Sequence, residues 1–78
     1  MASGKDAAEL VEFMAKALVN NADDIHVEIC DDGSVLELET ADDDRGRVIG
    51  RQGRVVKAMR AVLAASAVDD DSRLEIVD

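Results

Sequence analysis

A chain of 78 residues and 8.3 kDa supports one small domain. Folding at this size buries about 60% of the surface the unfolded chain exposes, which leaves little core to hollow into a deep enzyme cleft. At 47% hydrophobic and 35% charged residues the chain is globular rather than disordered, and its net charge of −9 argues for solubility and, taken whole, against nucleic acid. That charge is unevenly placed. Arg45, Arg47, Arg51, Arg54, Lys57 and Arg60 form an acid-free segment of +6, while the remainder holds three basic and eighteen acidic residues, or −15. No apolar run approaches the roughly 18 residues of a membrane span. No apolar stretch follows the first six residues, so no signal peptide is expected. The single cysteine, Cys30, has no internal disulfide partner, and the chain reads as cytoplasmic.

The spacing predicts a first helix over residues 5–19. Ser3 with Asp6 makes an imperfect capping box. Leu10, Phe13, Met14, Ala17 and Leu18 recur at helical spacing and read as its core stripe. Asn20-Asn21 suits a left-handed helix stop. A hairpin follows: Ile25, Val27 and Ile29 alternate with His26, Glu28 and Cys30, Asp32-Gly33 is a strong turn signal, and Leu36 and Leu38 alternate with Glu37 and Glu39. The register that pairs Asp31 with Ser34 sets Ile29 opposite Leu36 and Val27 opposite Leu38 on a dry face. The other face pairs Cys30 with Val35, Glu28 with Glu37 and His26 with Glu39. Asp42-Asp43-Asp44 opens a short helix over 42–49, its acids complementing the helix dipole. A Gly50–Gly53 loop leads to a longer helix over 53–67, with Val55, Val56, Met59, Val62 and Leu63 on its core side. Asp69-Asp70-Asp71 is a loop, and Leu74 and Ile76 belong to a final strand. The order α-β-β-α-α-β gives an α+β fold, three helices on one face of a three-stranded mixed sheet.

Little of this can do covalent chemistry. His26 is the one histidine and stands on the wet face beside Glu39. Cys30 precedes Asp31 and Asp32, which disfavour a thiolate. The aspartate triplets lack the alternating ligands and terminal glutamate of a calcium loop. No base, nucleophile and orienter can be assembled, so no enzyme, cofactor or metal is expected.

The glycines are more telling. Gly46-Arg47-Val48-Ile49-Gly50-Arg51-Gln52-Gly53-Arg54 lacks the Lys-Ser or Lys-Thr of a triphosphate loop and the glycine spacing of a dinucleotide fingerprint. A short G-x-x-G turn between helices lets backbone come close to a phosphodiester, and Arg51, Arg54 and Lys57 add charge beside it. A plain helix–helix turn would use the same glycines.

The run from Val48-Ile49 through Gly50, Gly53, Val56 and Met59 resembles the KH-domain signature: an aliphatic pair, G-x-x-G, then aliphatic residues three and six places on. The element order resembles the type II, prokaryotic KH fold, and the length and first helix resemble the bacterial KhpA family of single-KH proteins. The resemblance implies a flexible N-terminus over 1–6 and a single KH domain over 7–78. It also implies single-stranded RNA binding through Arg47, Val48, Ile49, Gly50, Arg51, Gln52, Gly53, Arg54, Val56 and Lys57. Such a groove does not need the aromatic platforms that other RNA readers use, and Phe13 is the only aromatic residue here. The aliphatic floor would be Val48, Ile49 and Val56, with Leu36 and Leu38 nearby. The family resemblance further implies a cytoplasmic homodimer, a larger KhpB-like partner, RNA chaperoning or post-transcriptional regulation, and links to cell-wall and cell-shape control. On the long helix, Ala58, Ala61, Ala64 and Ala65 form a small-residue face suited to two helices crossing about a two-fold axis. The alternative is a protein-interaction subunit whose RNA contact is weak or depends on its partner, which the −15 remainder favours.

Overall fold

The computed structural model describes residues 5–66 and 73–77. Helix α1 spans Lys5–Leu18, strands β1 and β2 span His26–Cys30 and Val35–Glu39, helices α2 and α3 span Arg45–Ile49 and Arg54–Ala65, and strand β3 spans Arg73–Val77. This is the expected α+β order. Lys5 and Asp6 begin α1, while Ser3 and the 69–71 loop lie outside the described residues.

The hairpin has the predicted register at all five pairs from His26↔Glu39 to Cys30↔Val35. Asp32 (φ 58°) and Gly33 (φ 96°) are the central residues of its turn, which closes when the Ser34 N–H donates to the Asp31 carbonyl at 3.1 Å. Asp31 is left-handed as well, at φ 52°, so three positive φ angles in succession carry the chain round between the strands. Strand β2 then pairs in parallel with β3, with Leu36 beside Leu74 and Leu38 beside Ile76. The sheet order is therefore β1-β2-β3. Parallel neighbours need a crossover connection, and α2 and α3 supply it. The free edge of β3 is partly occupied: Arg60 donates from Nε and Nη2 to the Leu74 carbonyl at 3.2 and 3.0 Å.

Leu36, Leu38 and Leu74 carry the sheet side of the core. Val11, Val48, Val56, Met59 and Leu63 cover them from the helices. Each such buried side chain contributes roughly 1.5–3 kcal/mol over an exposed one.

Helix α1 seats itself differently from expectation. Its buried residues are Ala7, Ala8, Val11 and Ala15, a small-residue face that lets the helix lie close to the sheet. The stripe of larger residues is rotated from it by roughly a quarter of a turn. Leu10 and Met14 are half-buried, but Ala17 is exposed, Phe13 is 74% exposed and Leu18 42%. On α3, likewise, Val56, Met59 and Leu63 face the core, Val55 is half-buried, and Val62 is exposed.

The end of α1 also departs from expectation. Neither Asn20 nor Asn21 adopts a left-handed φ. Their backbone N–H groups instead donate to the carboxylate of Asp44 at 3.2 and 2.9 Å, and the Asn21 side-chain amide donates to it at 2.9 Å. The Arg47 Nε lies 3.2 Å from the same carboxylate. Asp44 is fully buried, and residues 42–44 form a tight 3₁₀ turn before the α-helix begins at Arg45. Burial alone would raise the Asp44 pKa. The hydrogen bonds from Asn21 and Asn20 and the charge of Arg47 outweigh it and hold the carboxyl below the usual carboxylate range.

A folded-state pKa below the unfolded value stabilises the fold at pH values above the unfolded pKa of about 3.9, and that contribution is lost as pH falls through the folded pKa. Asp44→Asn should therefore lower Tm markedly at pH 7, and the gap to wild type should narrow on titration toward strong acid. Thermal melts monitored by circular dichroism across that range check this, and a gap independent of pH would remove the charge from the explanation.

Candidate functional site

The sequence between α2 and α3 turns within four residues. Helix α2 ends where the Gly50 N–H donates to the Gly46 carbonyl at 2.8 Å, and the turn closes where the Gly53 N–H donates to the Gly50 carbonyl at 3.1 Å. Gly50, Gln52 and Gly53 all have positive φ, at 78°, 58° and 75°. Gly50 is also sterically obligatory: a Cβ there would lie 2.4 Å from Val55 Cγ2 and 2.8 Å from the Val55 nitrogen. Gln52 holds its left-handed conformation without glycine's freedom, at a cost of about 1–2 kcal/mol. Arg51 and Gln52 are both exposed, so the loop presents side chains and bare backbone together.

The six cations of the basic segment divide into two groups. Arg45 is engaged with Asp42 at 2.8 Å, Arg47 with Asp44, and Arg60 with the Leu74 carbonyl. Arg51, Arg54 and Lys57 are exposed and make no ion pair with any described residue. They stand at intervals of three residues, one in the loop and two on the first turns of α3, so their charges gather around Gly50–Gly53. An anion meeting this end of the molecule finds three uncompensated cations in a chain that is otherwise acidic.

The expected aliphatic floor is mostly interior. Val48, Leu36 and Leu38 are fully buried and Val56 is 7% exposed. They shape the site from beneath, and Ile49 is the half-buried member that keeps some surface.

Beside the loop lies an apolar surface groove between α1 and α3, lined by Phe13, Leu18, Val55, Ala58 and Val62 among others, with Arg54 at the end nearest the loop. Ala58, Ala61, Ala64 and Ala65 are exposed, as expected. On a helical wheel Ala58 and Val62 continue directly from Ala61 and Ala65, so groove and alanine face form one surface. Sequence reasoning assigned Phe13, Leu18 and Val62 to the core. The signal that distinguishes them is the second apolar face of α1, built of alanines.

His26 is exposed on the open sheet face. Cys30 is half-buried there, and desolvation, followed by the charges of Glu37, Glu28 and Asp31, pushes its thiol up, the reverse of what a nucleophile needs. Among the described residues no group of three or more histidine, cysteine and acidic side chains is placed to hold a metal ion, and no helix is long and apolar enough to cross a membrane.

Comparison with known proteins agrees with this geometry. The family described as "KhpA/KhpB, KH domain" matches residues 8–77. Among similar proteins, one from Halalkalibacterium halodurans is 47% identical over 73 residues, covering 88% of this chain and 96% of its own. One from Clostridium perfringens is 40% identical over 70 residues, covering 87% and 93%, and one from Leifsonia xyli is 37% identical over 73 residues, covering 91% and 96%. Each is named RNA-binding protein KhpA. No solved structure gives a significant match. A G-x-x-G turn between two helices, set in the crossover of a three-stranded mixed sheet, thus coincides with a match over nearly the whole chain: it belongs to the KhpA/KhpB KH-domain family, which is not a family of enzymes.

Proposed function

We propose that this protein binds single-stranded RNA in the cytoplasm, without catalysis, by clamping the phosphodiester backbone on the Gly50–Gly53 loop. The observation that carries the reading is the trio Arg51, Arg54 and Lys57, uncompensated around a loop whose glycines expose backbone. Relatives named for RNA binding support it. Gly50 and Gly53 permit close approach, Gln52 hydrogen-bonds sugar or phosphate, and Ile49, with Val48 and Val56 beneath, forms the aliphatic side. Arg47 contributes from its pairing with Asp44. Without aromatic stacking, affinity rests on backbone charge and shape, which suits an RNA chaperone or post-transcriptional regulator acting on many transcripts.

The proposal extends to assembly. Two copies pack through Ala58, Ala61, Ala64 and Ala65 and the adjoining Phe13–Val62 groove, because an exposed phenylalanine beside an alanine face is surface that water disfavours. A dimer sets two loops on one RNA and raises effective concentration. The family resemblance adds a KhpB-like partner and control of cell wall and cell shape. The exposed groove also favours the rival reading, a protein-interaction subunit with weak or partner-dependent RNA contact. The isolated chain decides between them: salt-sensitive retention of a random single-stranded RNA pool on filters supports the clamp, and no retention supports the rival.

Changing Arg51 and Gln52 together to Asp should abolish RNA binding in a filter assay and leave the melting curve nearly unchanged. A parallel loss of stability and binding would argue against a specific role for the loop. Three phosphate contacts imply a slope of log affinity against log salt of about −2, at roughly −0.7 per contact on a single strand. A slope near zero would mean that the cations do not touch phosphate. In analytical ultracentrifugation, wild type should sediment as a dimer at tens of micromolar, a range set by about 7 kcal/mol of association. Ala61→Glu and Phe13→Glu should each sediment as folded monomers. A monomeric wild type or dimeric variants would dismiss this interface.

A further inference from the structure

The sheet has two margins, at β1 and at β3. At β3 the Arg60 guanidinium fills the Leu74 carbonyl. The direction of the backbone groups at β1 follows from the other side of the sheet. The Arg73 N–H donates to the Ser34 carbonyl at 2.8 Å, and Val35 lies beside Arg73 in the parallel register, so Leu36 and Leu38 turn their N–H and C=O groups toward β3. Val35, Glu37 and Glu39 turn theirs toward β1, where they meet Cys30, Glu28 and His26. The N–H and C=O groups of Val27 and Ile29 therefore point outward, and no described residue bonds them.

The two faces of this margin differ. On the helix-covered face stand Val27, half-buried, and Ile29, which is 42% exposed although Leu36 and Leu74, abreast of it, are buried. On the open face Glu28, Glu37 and Glu75 stand directly abreast across the three strands, and like charges so placed oppose strand pairing. Glu75 has the Arg73 guanidinium at 4.0 Å. Glu28 and Glu37 make no ion pair with any described residue, and Glu28, at the outer end of the row, is exposed. A strand laid along β1, about 4.8 Å away, covers Ile29 with an apolar side chain and sets its next side chain in line with the glutamates, where positive charge is favoured. A second copy of β1 suits the place poorly. Pairing about Glu28 sets two glutamates opposite each other, and each chain carries −9.

We propose that the β1 edge is a docking site for an extended segment of a partner protein in which apolar residues alternate with lysine or arginine. The backbone of Val27 and Ile29 pairs with the segment, Ile29 receives its apolar side chains, and Glu28, with Glu37 behind it, receives the cation. None of these residues belongs to the Gly50–Gly53 loop, so the site stands independently of RNA binding.

The full chain, titrated with the synthetic peptide Thr-Lys-Val-Lys-Val-Lys-Thr and with its counterpart Thr-Glu-Val-Glu-Val-Glu-Thr, tests this by fluorescence anisotropy and by amide hydrogen exchange read residue by residue in NMR. The basic peptide should bind and the acidic one should not. With the basic peptide at about ten times its dissociation constant, exchange of the Val27 and Ile29 amides should slow by about tenfold. Glu28→Lys should weaken the basic peptide by about fivefold or more with a melting curve nearly unchanged, because an exposed attraction becomes a repulsion. On the wild-type chain, methylating the valine nitrogens of the basic peptide keeps its charge, removes the donors and should weaken it comparably. No binding, or equal binding of both peptides, overturns the proposal. Binding that leaves the two amides unprotected reveals a contact of charge alone and overturns it too. Amides already protected in the free chain, and more so as its concentration rises, assign the edge to a second copy and also overturn it.

Discussion

One buried carboxylate holds together segments that are far apart in the chain. Asp44 receives the backbone N–H groups of Asn20 and Asn21, the Asn21 side chain and the Arg47 guanidinium. The first two come from the end of α1, 24 and 23 residues earlier. The Asn20 and Asn21 N–H groups lie just past α1, and buried polar donors need acceptors, while a charge taken out of water must be matched by partners. Here the arrival of chain after α1 and the start of α2 meet those needs at one point. The position of α2, and with it the Gly50–Gly53 loop, follows from that point.

The second constraint is steric. Val55 occupies the space a side chain at position 50 would need, so α2 and α3 can pack this closely only across a glycine. The loop's exposed backbone is thus a by-product of tight helix packing. Charge then separates along the same line. Two cations, Arg45 and Arg47, are paired with aspartates, Arg60 is tied to a backbone carbonyl, and three make no ion pair with any described residue. The acidic remainder repels phosphate over the rest of the surface.

Much of this was legible in the residues. Alternation in β1 and β2, with Asp32-Gly33 between them, specified the hairpin register, because a slip of one residue would exchange the dry and wet faces. Gly50, Gly53 and the aliphatic residues around them marked the loop and the family. Two features were not legible. The first was the seating of α1. Periodicity weighs large side chains most heavily, but the sheet selects the alanine face, since Ala7, Val11 and Ala15 allow a closer approach than Phe13 and Leu18 would. The second was Asp44. In sequence it is one of three consecutive aspartates, and only the return of residues 20 and 21 to its side in space distinguishes it from Asp42 and Asp43. Long-range partners of that kind leave no local periodicity to read.

The bond from Arg60 to the Leu74 carbonyl has a bearing on how the protein behaves when crowded with its own kind. The Arg73 N–H reaches across to the Ser34 carbonyl, so in an extended strand the polar groups of Leu74 point the other way, to the unshared margin of the sheet. Margins of this sort recruit foreign strands and seed fibrils. A forked guanidinium that fills one acceptor with two donors, and plants a positive charge there, denies an incoming chain its pairing partner. Lysine, with a single compact ammonium, would keep the charge and give up the fork. Arginine at this place therefore shields one acceptor on the sheet margin, apart from any task the basic segment performs toward a ligand.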